Sequence, residues 1–226
     1  MNGKSDGSMD GFEVLRYGTH PLQTIHVKPS GQGPVWVVYL HGGAWRDPRS
    51  DAHEGYWILQ HTSAPGASIN YRLSPEVRHP LHLHDARAAL AALRAAYPIP
   101  KMLLIGHSAG AWLAFQEEMP ADCVIGLDGI YDLEELVMEY PAYADFVQMA
   151  FGPDREAWRR ARARRPDAKR WMLLHSSGDE LLSWRQTRSF AARIGGEVRE
   201  VTGRHQKVFQ STVFCEIVGR EIERMG

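Results

Sequence analysis

The pentapeptide G-H-S-A-G at residues 106–110 is the strongest chemical signal in the chain. It follows an apolar run that predicts a strand, Lys101–Ile105, and precedes a helical pattern at residues 111–118. Glycines two positions before and after Ser108 permit a tight strand-to-helix turn, because a Cβ there would collide with neighbouring backbone. The hydroxyl then lies at a helix N-terminus, where N–H groups stabilise a developing oxyanion. The motif therefore predicts that Ser108 is a nucleophile for acyl transfer, against the alternative of a serine in an ordinary tight turn.

A second glycine-containing motif, H-G-G-A-W at residues 41–45, follows the apolar run Val35–Leu40. Glycines let the backbone approach a ligand closely and aim its N–H groups at it. Beside a nucleophile such a loop forms an oxyanion hole, and His41 is better placed to fix the loop by hydrogen bonds than to carry protons. The predicted oxyanion donors are the N–H groups of Gly42, Gly43, Ala44 and Ala109.

A serine nucleophile needs a general base, and the base needs an anion that fixes its tautomer. With a G-x-S-x-G turn, the chain order is serine, then acid, then histidine, on loops that follow later strands. Asp179 follows the predicted strand Trp171–Leu174, and His205 follows the predicted strand Glu197–Val201. The order of these elements predicts a catalytic triad of Ser108, Asp179 and His205.

Three other carboxylates compete with Asp179 for the acid position. Glu180 lies one residue further into the same loop, whereas Asp128 and Asp132 follow an earlier strand. The chain has 11 histidines, but only His205 lies between the acid loop and the final helix. The H-L-H-D stretch at residues 82–85 lacks further ligands at metal-binding spacing, so no metal site is expected.

The elements that position these residues predict an α/β fold. Short, near-continuous apolar runs alternate with helical patterns, as in a parallel sheet covered on both faces. The more alternating segments Phe12–Tyr17 and Leu22–Val27 predict an antiparallel edge. We therefore expect a mostly parallel, doubly wound sheet with helices on both faces. Residues 1–11 are predicted to be a flexible tail, and residues 12–226 a single domain.

The segment at residues 128–170 interrupts this strand rhythm with aromatic-rich helical sequence. It predicts either a small lid or helices packed beside the sheet, since aromatic residues at such spacing commonly lie in cores. Residues 155–170 include eight basic side chains. A charge run on a helix is usually a solvated face, so nucleic-acid binding is not expected.

Composition excludes several classes of protein. Lys and Arg total 26 against 27 Asp and Glu, and a net charge of -1 gives no global field for nucleic acid or an anionic membrane. Apolar residues make up 44% of the chain, yet no apolar run approaches the ~20 residues that cross a bilayer. Cys123 and Cys215 are too few for a disulfide framework, so we expect a reducing, cytoplasmic location.

The motifs together resemble those of a known family. The H-G-G-x-W loop, the G-H-S-A-G elbow, S-I-N-Y-R-L-S-P-E at residues 68–76 and L-D-G-I-Y-D-L at residues 127–133 are similar to motifs of kynurenine formamidases (arylformamidases). The resemblance is to the compact fungal type within the α/β-hydrolase superfamily and covers roughly residues 35–210 as a motif series. Trp45 is its most discriminating residue, because related lipases and esterases have a third glycine there.

The resemblance implies hydrolysis of N-formyl-L-kynurenine to L-kynurenine and formate, in tryptophan degradation toward NAD synthesis. The reaction would pass through a formyl-serine intermediate without a metal or organic cofactor. The resemblance also implies a tendency to form homodimers. A broad-specificity carboxylesterase with the same triad is the alternative. The expected substrate contacts are Trp45, Tyr71 and Tyr131 for the aromatic ring, unless these lie in the core, and Arg46 and Arg72 for the carboxylate.

Overall fold

One eight-stranded sheet forms the centre of the molecule. The computed structural model describes residues 11–117 and 119–226, so the predicted tail lies outside the described residues except for Gly11. The strands are β1 (Glu13–Arg16), β2 (Thr24–Lys28), β3 (Val35–Leu40), β4 (Gly66–Ile69), β5 (Lys101–His107), β6 (Cys123–Leu127), β7 (Arg170–Ser176) and β8 (Glu197–Val201). Their order across the sheet is β1-β2-β4-β3-β5-β6-β7-β8.

The strand directions agree with the sequence patterns. β2 runs antiparallel to both β1 and β4, whereas all pairs from β4 to β8 are parallel. Because successive side chains of a strand point to opposite faces, the fully buried β3 supplies two cores. Trp36, Val38 and Leu40 pack on one face, and Val35, Val37 and Tyr39 pack on the other. The predicted mostly parallel sheet, covered on both faces, is confirmed.

Within residues 11–117 and 119–226, eight α-helices cover these two faces. They are α1 (Tyr56–Gln60), α2 (Leu81–Ala96), α3 (Ala109–Ala114), α4 (Leu133–Glu139), α5 (Ala144–Phe151), α6 (Arg155–Arg160), α7 (Trp184–Ile194) and α8 (Thr212–Met225). Helices α2 to α7 pack on one face of the sheet, while α1 and α8 pack on the other. None of the helices in the described ranges is long and apolar enough to cross a membrane.

Local capping explains several helix ends. The Ser183 hydroxyl accepts a hydrogen bond from the Arg185 N–H at the start of α7, and Gly195 ends that helix with φ 69°. Helix α3 is shorter than the predicted pattern, because the Phe115 carbonyl accepts from the Arg164 N–H, outside the helix. The C-terminal helix starts later than Phe209, because residues 205–210 form a 3₁₀ turn.

The segment at residues 128–170 packs mainly as core. Tyr131, Phe146 and Trp158 are buried, and all three belong to the core on the α2–α7 face. Tyr143, in the 3₁₀ turn Pro141–Tyr143 before α5, is only partly buried, and its hydroxyl donates to the Leu181 carbonyl. Most of this segment therefore stabilises the sheet, and its α4–α5 corner reaches the loop after β7.

Candidate active site

Ser108 lies on a strained turn between β5 and α3. Its backbone has φ 51° and ψ −113°, a region that non-glycine residues rarely adopt. A Cβ on Gly106 would lie 2.3 Å from the Gly110 carbonyl oxygen, and a Cβ on Gly110 would lie 2.2 Å from that of Leu40. The collision predicted for both glycines is confirmed, and the turn holds Ser108 at the first residues of α3.

Asp179 and His205 meet at the same edge of the sheet, on the loops after β7 and β8. His205 Nδ1 lies 2.8 Å from Asp179 Oδ2, and both side chains are almost fully buried. Asp179 Oδ1 accepts from the N–H groups of Leu181 and Leu182. Burial alone would raise the pKa of Asp179, but the His205 hydrogen bond and charge and these N–H donors outweigh it, so the pKa is lowered. The carboxylate is therefore ionised and fixed toward the imidazole.

The competing carboxylates have other partners. Glu180 Oε2 accepts from the backbone N–H of His205, 3.0 Å away, and so holds the residue rather than its ring. Asp132 caps α4 by accepting from the N–H groups of Glu134 and Glu135. Of the carboxylates considered from the sequence, Asp179 alone hydrogen-bonds the His205 ring.

The loop at residues 41–45 has the irregular backbone of a binding loop. Gly43, Ala44 and Trp45 have φ values of 88°, 50° and 56°. The Gly42 N–H donates to Glu54 Oε2 at 3.1 Å, so it is not free for an oxyanion, contrary to its predicted role. In the described part of the chain the N–H groups of Gly43 and Ala44 have no hydrogen-bond acceptor. These two donors, with Ala109 at the start of α3, are the remaining candidates.

Tyr71 is buried beneath this loop and hydrogen-bonds its main chain. Its side chain is fully buried, and its hydroxyl lies 2.9 Å from the His41 carbonyl oxygen and 3.2 Å from that of Gly42. Its ring stacks on His41 at 4.3 Å between centroids. His41 in turn lies near the Gly42 carbonyl, with Nδ1 at 3.0 Å. Tyr71 therefore follows the core alternative that the sequence left open, and it positions the loop.

The other two predicted aromatic contacts lie in the core as well. Trp45 is fully buried and packs edge-on against Trp112 and Phe151, at 5.8 and 4.9 Å between ring centroids. Tyr131 is equally buried and stacks on Phe190 at 4.4 Å. The positive φ of Trp45 directs its side chain inward, so neither ring is available to a substrate.

The two arginines predicted for the substrate carboxylate differ in their surroundings. Arg72 forms a bidentate pair with Asp85, with nitrogen–oxygen distances of 2.8 and 2.7 Å, and this buried partner already neutralises its charge. Arg46 pairs with Asp145 on α5, an aspartate whose side chain is 69% exposed. An exposed partner is exchanged at low cost, so Arg46 stays a candidate and Arg72 does not.

Two residues at the site were not found from the sequence. Glu54 lies in the 3₁₀ turn Ala52–Gly55, and one of its oxygens contacts both Gly42 N–H and His107 Nδ1. His107 occupies the variable position just before Ser108 in the elbow motif. Its place in the elbow is the only sequence signal for His107. Glu54 has no such signal, because it lies 53 residues from His107 in sequence.

Asp128 lies in a buried cluster of ionisable side chains, next to the triad residue Asp179. Its Oδ1 accepts from the Ser176 N–H at 2.7 Å, while its Oδ2 has no partner among the described residues. Ligand atoms of Asp128, His175 and Asp179 lie within 4.8 Å of one another, a spacing that a metal ion could bridge. However, both Asp179 oxygens already accept hydrogen bonds from protein groups. The set therefore fits a protonated Asp128 beside an ionised Asp179 better than a cation site.

The pKa of Asp128 is raised to about 7, first by burial and then by the Asp179 charge, with the Ser176 N–H opposing the shift. The folded state thus holds this proton more tightly than the unfolded chain does. The stabilisation from this group is complete below the unfolded pKa of 3.8 and is lost as pH rises through about 7.

Replacing Asp128 with asparagine should remove this pH dependence, because the amide retains the acceptor for Ser176 but cannot ionise. Asparagine also tolerates the φ of 43° at this position. We expect the Asp128→Asn variant to match the parent protein near pH 4 and to exceed it by about 2–4 kcal/mol in the free energy of unfolding at pH 8. Urea unfolding at the two pH values measures the difference. If the two proteins differed in the free energy of unfolding by the same amount at both pH values, the pKa of Asp128 would not be shifted by folding.

The fold and the elbow define the class of protein, and comparison with known proteins agrees. A family model described as alpha/beta hydrolase fold matches residues 37–186, so the chain belongs to the α/β-hydrolase family. Esterase B from Lactobacillus rhamnosis shares this fold, with a TM-score of 0.72 over 95% of this chain and 83% of that chain, at 16% identity.

Within that family, curated fungal relatives are more similar in sequence. The chain is 35% identical over 209 residues to kynurenine formamidase from Meyerozyma guilliermondii, and the match covers 81% of this chain and 80% of the relative. It is also 35% identical over 190 residues to kynurenine formamidase from Eremothecium gossypii, covering 71% of this chain and 79% of that relative. The resemblance drawn from the motifs is thereby confirmed.

Proposed function

We propose that this protein hydrolyses N-formyl-L-kynurenine to L-kynurenine and formate, a step of tryptophan degradation, with Ser108, His205 and Asp179 as its triad. The observation that carries the proposal is the 2.8 Å contact between His205 and Asp179, at the sheet edge where the strained Ser108 turn lies. The names of the two fungal relatives supply the substrate. Formation of a formyl-serine intermediate follows from the nucleophile.

In the first half of the reaction Ser108 Oγ attacks the formyl carbon while His205 Nε2 takes its proton. The carbonyl oxygen becomes an oxyanion, which the N–H groups of Gly43, Ala44 and Ala109 stabilise. The carbon–nitrogen bond then breaks, and the imidazolium gives its proton to the departing arylamine nitrogen. Asp179 stabilises the imidazolium throughout and is not itself protonated.

In the second half water hydrolyses the formyl-serine ester. His205 takes a proton from the water, whose oxygen attacks the formyl carbon, and the same N–H groups stabilise the second oxyanion. Ser108 leaves with the proton from His205, and the formic acid that is released ionises to formate by losing a proton to solvent. His205 thus carries each proton exchanged with Ser108, the arylamine and the attacking water, and backbone N–H groups stabilise both oxyanions.

Substrate contacts are assigned to the α4–α5 corner. Arg46 follows the oxyanion loop and pairs with Asp145, whose exposed carboxylate the substrate carboxylate would replace. The guanidinium lies 5.7 Å from the centroid of the Phe146 ring. Tyr143, bonded to the Leu181 carbonyl beside the Asp179 loop, is the aromatic side chain best placed for the kynurenine ring.

Comparing two substrates tests this proposal. We expect purified protein to hydrolyse N-formyl-L-kynurenine with a higher kcat/KM than p-nitrophenyl acetate, once the greater intrinsic reactivity of the ester is allowed for. The arylamine is a far poorer leaving group than nitrophenolate, so its expulsion needs the proton from His205 and correct ring placement. Absorbance assays follow both reactions. Fast ester hydrolysis with no turnover of formylkynurenine would favour the broad carboxylesterase instead.

The same assays with Arg46→Ala locate the carboxylate contact. Loss of a charge-assisted hydrogen bond should lower kcat/KM for formylkynurenine about tenfold or more, while the neutral ester should be unaffected. Arg72→Ala is the contrasting variant, since its pairing with Asp85 predicts loss of stability rather than of substrate affinity. Equal effects of Arg46→Ala on both substrates would contradict the assignment.

A further inference from the structure

Glu54 and His107 form a buried pair directly behind the nucleophile. His107 Nδ1 lies 3.1 Å from Glu54 Oε2, and the two side chains are 1% and 10% exposed. Burial opposes ionisation of Glu54, but the hydrogen bond and charge of His107, with His41 and the Gly42 N–H, lower the pKa of Glu54 to about 2. Glu54 is therefore a carboxylate and can only accept hydrogen bonds from the imidazole.

The second ring nitrogen of His107 also faces an acceptor. His107 Nε2 lies 3.1 Å from the backbone carbonyl oxygen of His205. The ring therefore lies between two acceptors, the Glu54 carboxylate and the main chain of His205, and contacts one with each nitrogen.

This pair connects three parts of the candidate site. Glu54 Oε2 accepts from the Gly42 N–H of the oxyanion loop, and His107 precedes Ser108 in the elbow. At its other nitrogen His107 holds the main chain of His205, whose ring centroid lies 4.9 Å from its own. One Glu54 oxygen therefore joins the oxyanion loop to His107, and His107 joins the nucleophile turn to the main chain of the general base.

We propose that Glu54 and His107 are positioning residues for the hydrolysis, fixing the His205 main chain and the oxyanion loop relative to Ser108. The proposal rests on the proposed triad. Other ionisable groups that act on the pair are His41, Tyr39 and Tyr71. Misplacement of a reacting group by about 1 Å costs on the order of 100-fold in rate, so such an arrangement has a measurable effect.

Two substitutions weaken the same link by different chemistry. In Glu54→Gln the amide oxygen still accepts from the Gly42 N–H and reaches His107 Nδ1, but a neutral amide is a weaker acceptor than a carboxylate, so both groups are held less firmly. In His107→Asn the amide N–H still reaches Glu54, but the shorter side chain does not reach His205.

Both variants should lower kcat for p-nitrophenyl acetate about tenfold or more, with KM changed less than about twofold. The double variant should be no slower than the slower single variant, because the same link is weakened in every case. Glu221→Gln is the matched control. Glu221 lies on α8 and is a buried glutamate paired with Arg170 of β7, so its replacement should leave kcat unchanged. The rate of Ser108 labelling by a fluorophosphonate should fall in parallel.

A kcat within about twofold of the parent in both single variants, or an equal loss in Glu221→Gln, would overturn the proposal. Because the readouts are an activated ester and the labelling of Ser108, failure on formylkynurenine alone would count against the proposed function and not against this pair.

Discussion

The Ser108→Ala variant should lose several orders of magnitude in kcat while retaining its fold. Only substrate binding and the oxyanion loop would remain to accelerate the reaction. Alanine introduces no larger side chain at the strained turn, and the Ser108 hydroxyl does not cap α3. The measurements are steady-state turnover of both substrates and a thermal unfolding curve, which should lie close to that of the parent protein.

A fluorophosphonate probe gives the complementary result. It should label Ser108 and no other serine, as mass spectrometry of the digested protein would show. Ser68→Ala is a matched control, because Ser68 is buried and its hydroxyl lacks a partner in the described part of the chain. Its removal should leave kcat and labelling intact. Labelling at another serine, or turnover that survives in Ser108→Ala, would place the nucleophile elsewhere.

The sheet and the catalytic edge could be predicted because their signals are local in sequence. Apolar runs of strand length mark β3, β5 and β6, and strand order determines which loops share an edge. The contact of Asp179 with His205 follows from that order without any knowledge of side-chain packing. The glycines of the elbow are likewise local, since their function depends on residues within a few positions.

The substrate contacts could not be predicted in the same way. Trp45 is the last residue of the oxyanion loop, but backbone φ values of 50° and 56° at Ala44 and Trp45 turn its ring into the core. A sequence does not reveal that turn. The partners of Arg72 and Arg46 come from α2 and α5, and only the tertiary structure distinguishes a buried counter-ion from an exposed one.

The same limit applies to the buried carboxylates. Glu54 carries no motif, and its partners Gly42 and His107 come from two other loops. The Gly42 N–H was predicted as an oxyanion donor because its residue type fits, whereas the direction of that N–H depends on where Glu54 lies. Asp128 is one of the carboxylates that the sequence allows as the triad acid. Its burial beside Asp179 instead raises its pKa.

The Asp179→Asn variant should lower kcat by about 10⁴-fold, because the structure forces the amide into the wrong orientation. The N–H groups of Leu181 and Leu182 both donate to Asp179 Oδ1, so the asparagine oxygen is held there. Its NH₂ group then faces His205 Nδ1 and stabilises the tautomer whose Nε2 carries a proton. That imidazole cannot accept the proton of Ser108.

Two further substitutions, compared by their effect on kcat, distinguish Asp179 from the other candidate carboxylates. Glu180→Gln keeps an acceptor for the His205 N–H, and Asp132→Asn keeps the cap of α4, so each should cost far less than Asp179→Asn. If Asp179→Asn kept its rate while Glu180→Gln lost about 10⁴-fold, the acid would be Glu180. The His205 ring would then have to turn from Asp179 toward a carboxylate that now contacts only its main chain, and a crystal structure of Asp179→Asn would show that rotation directly.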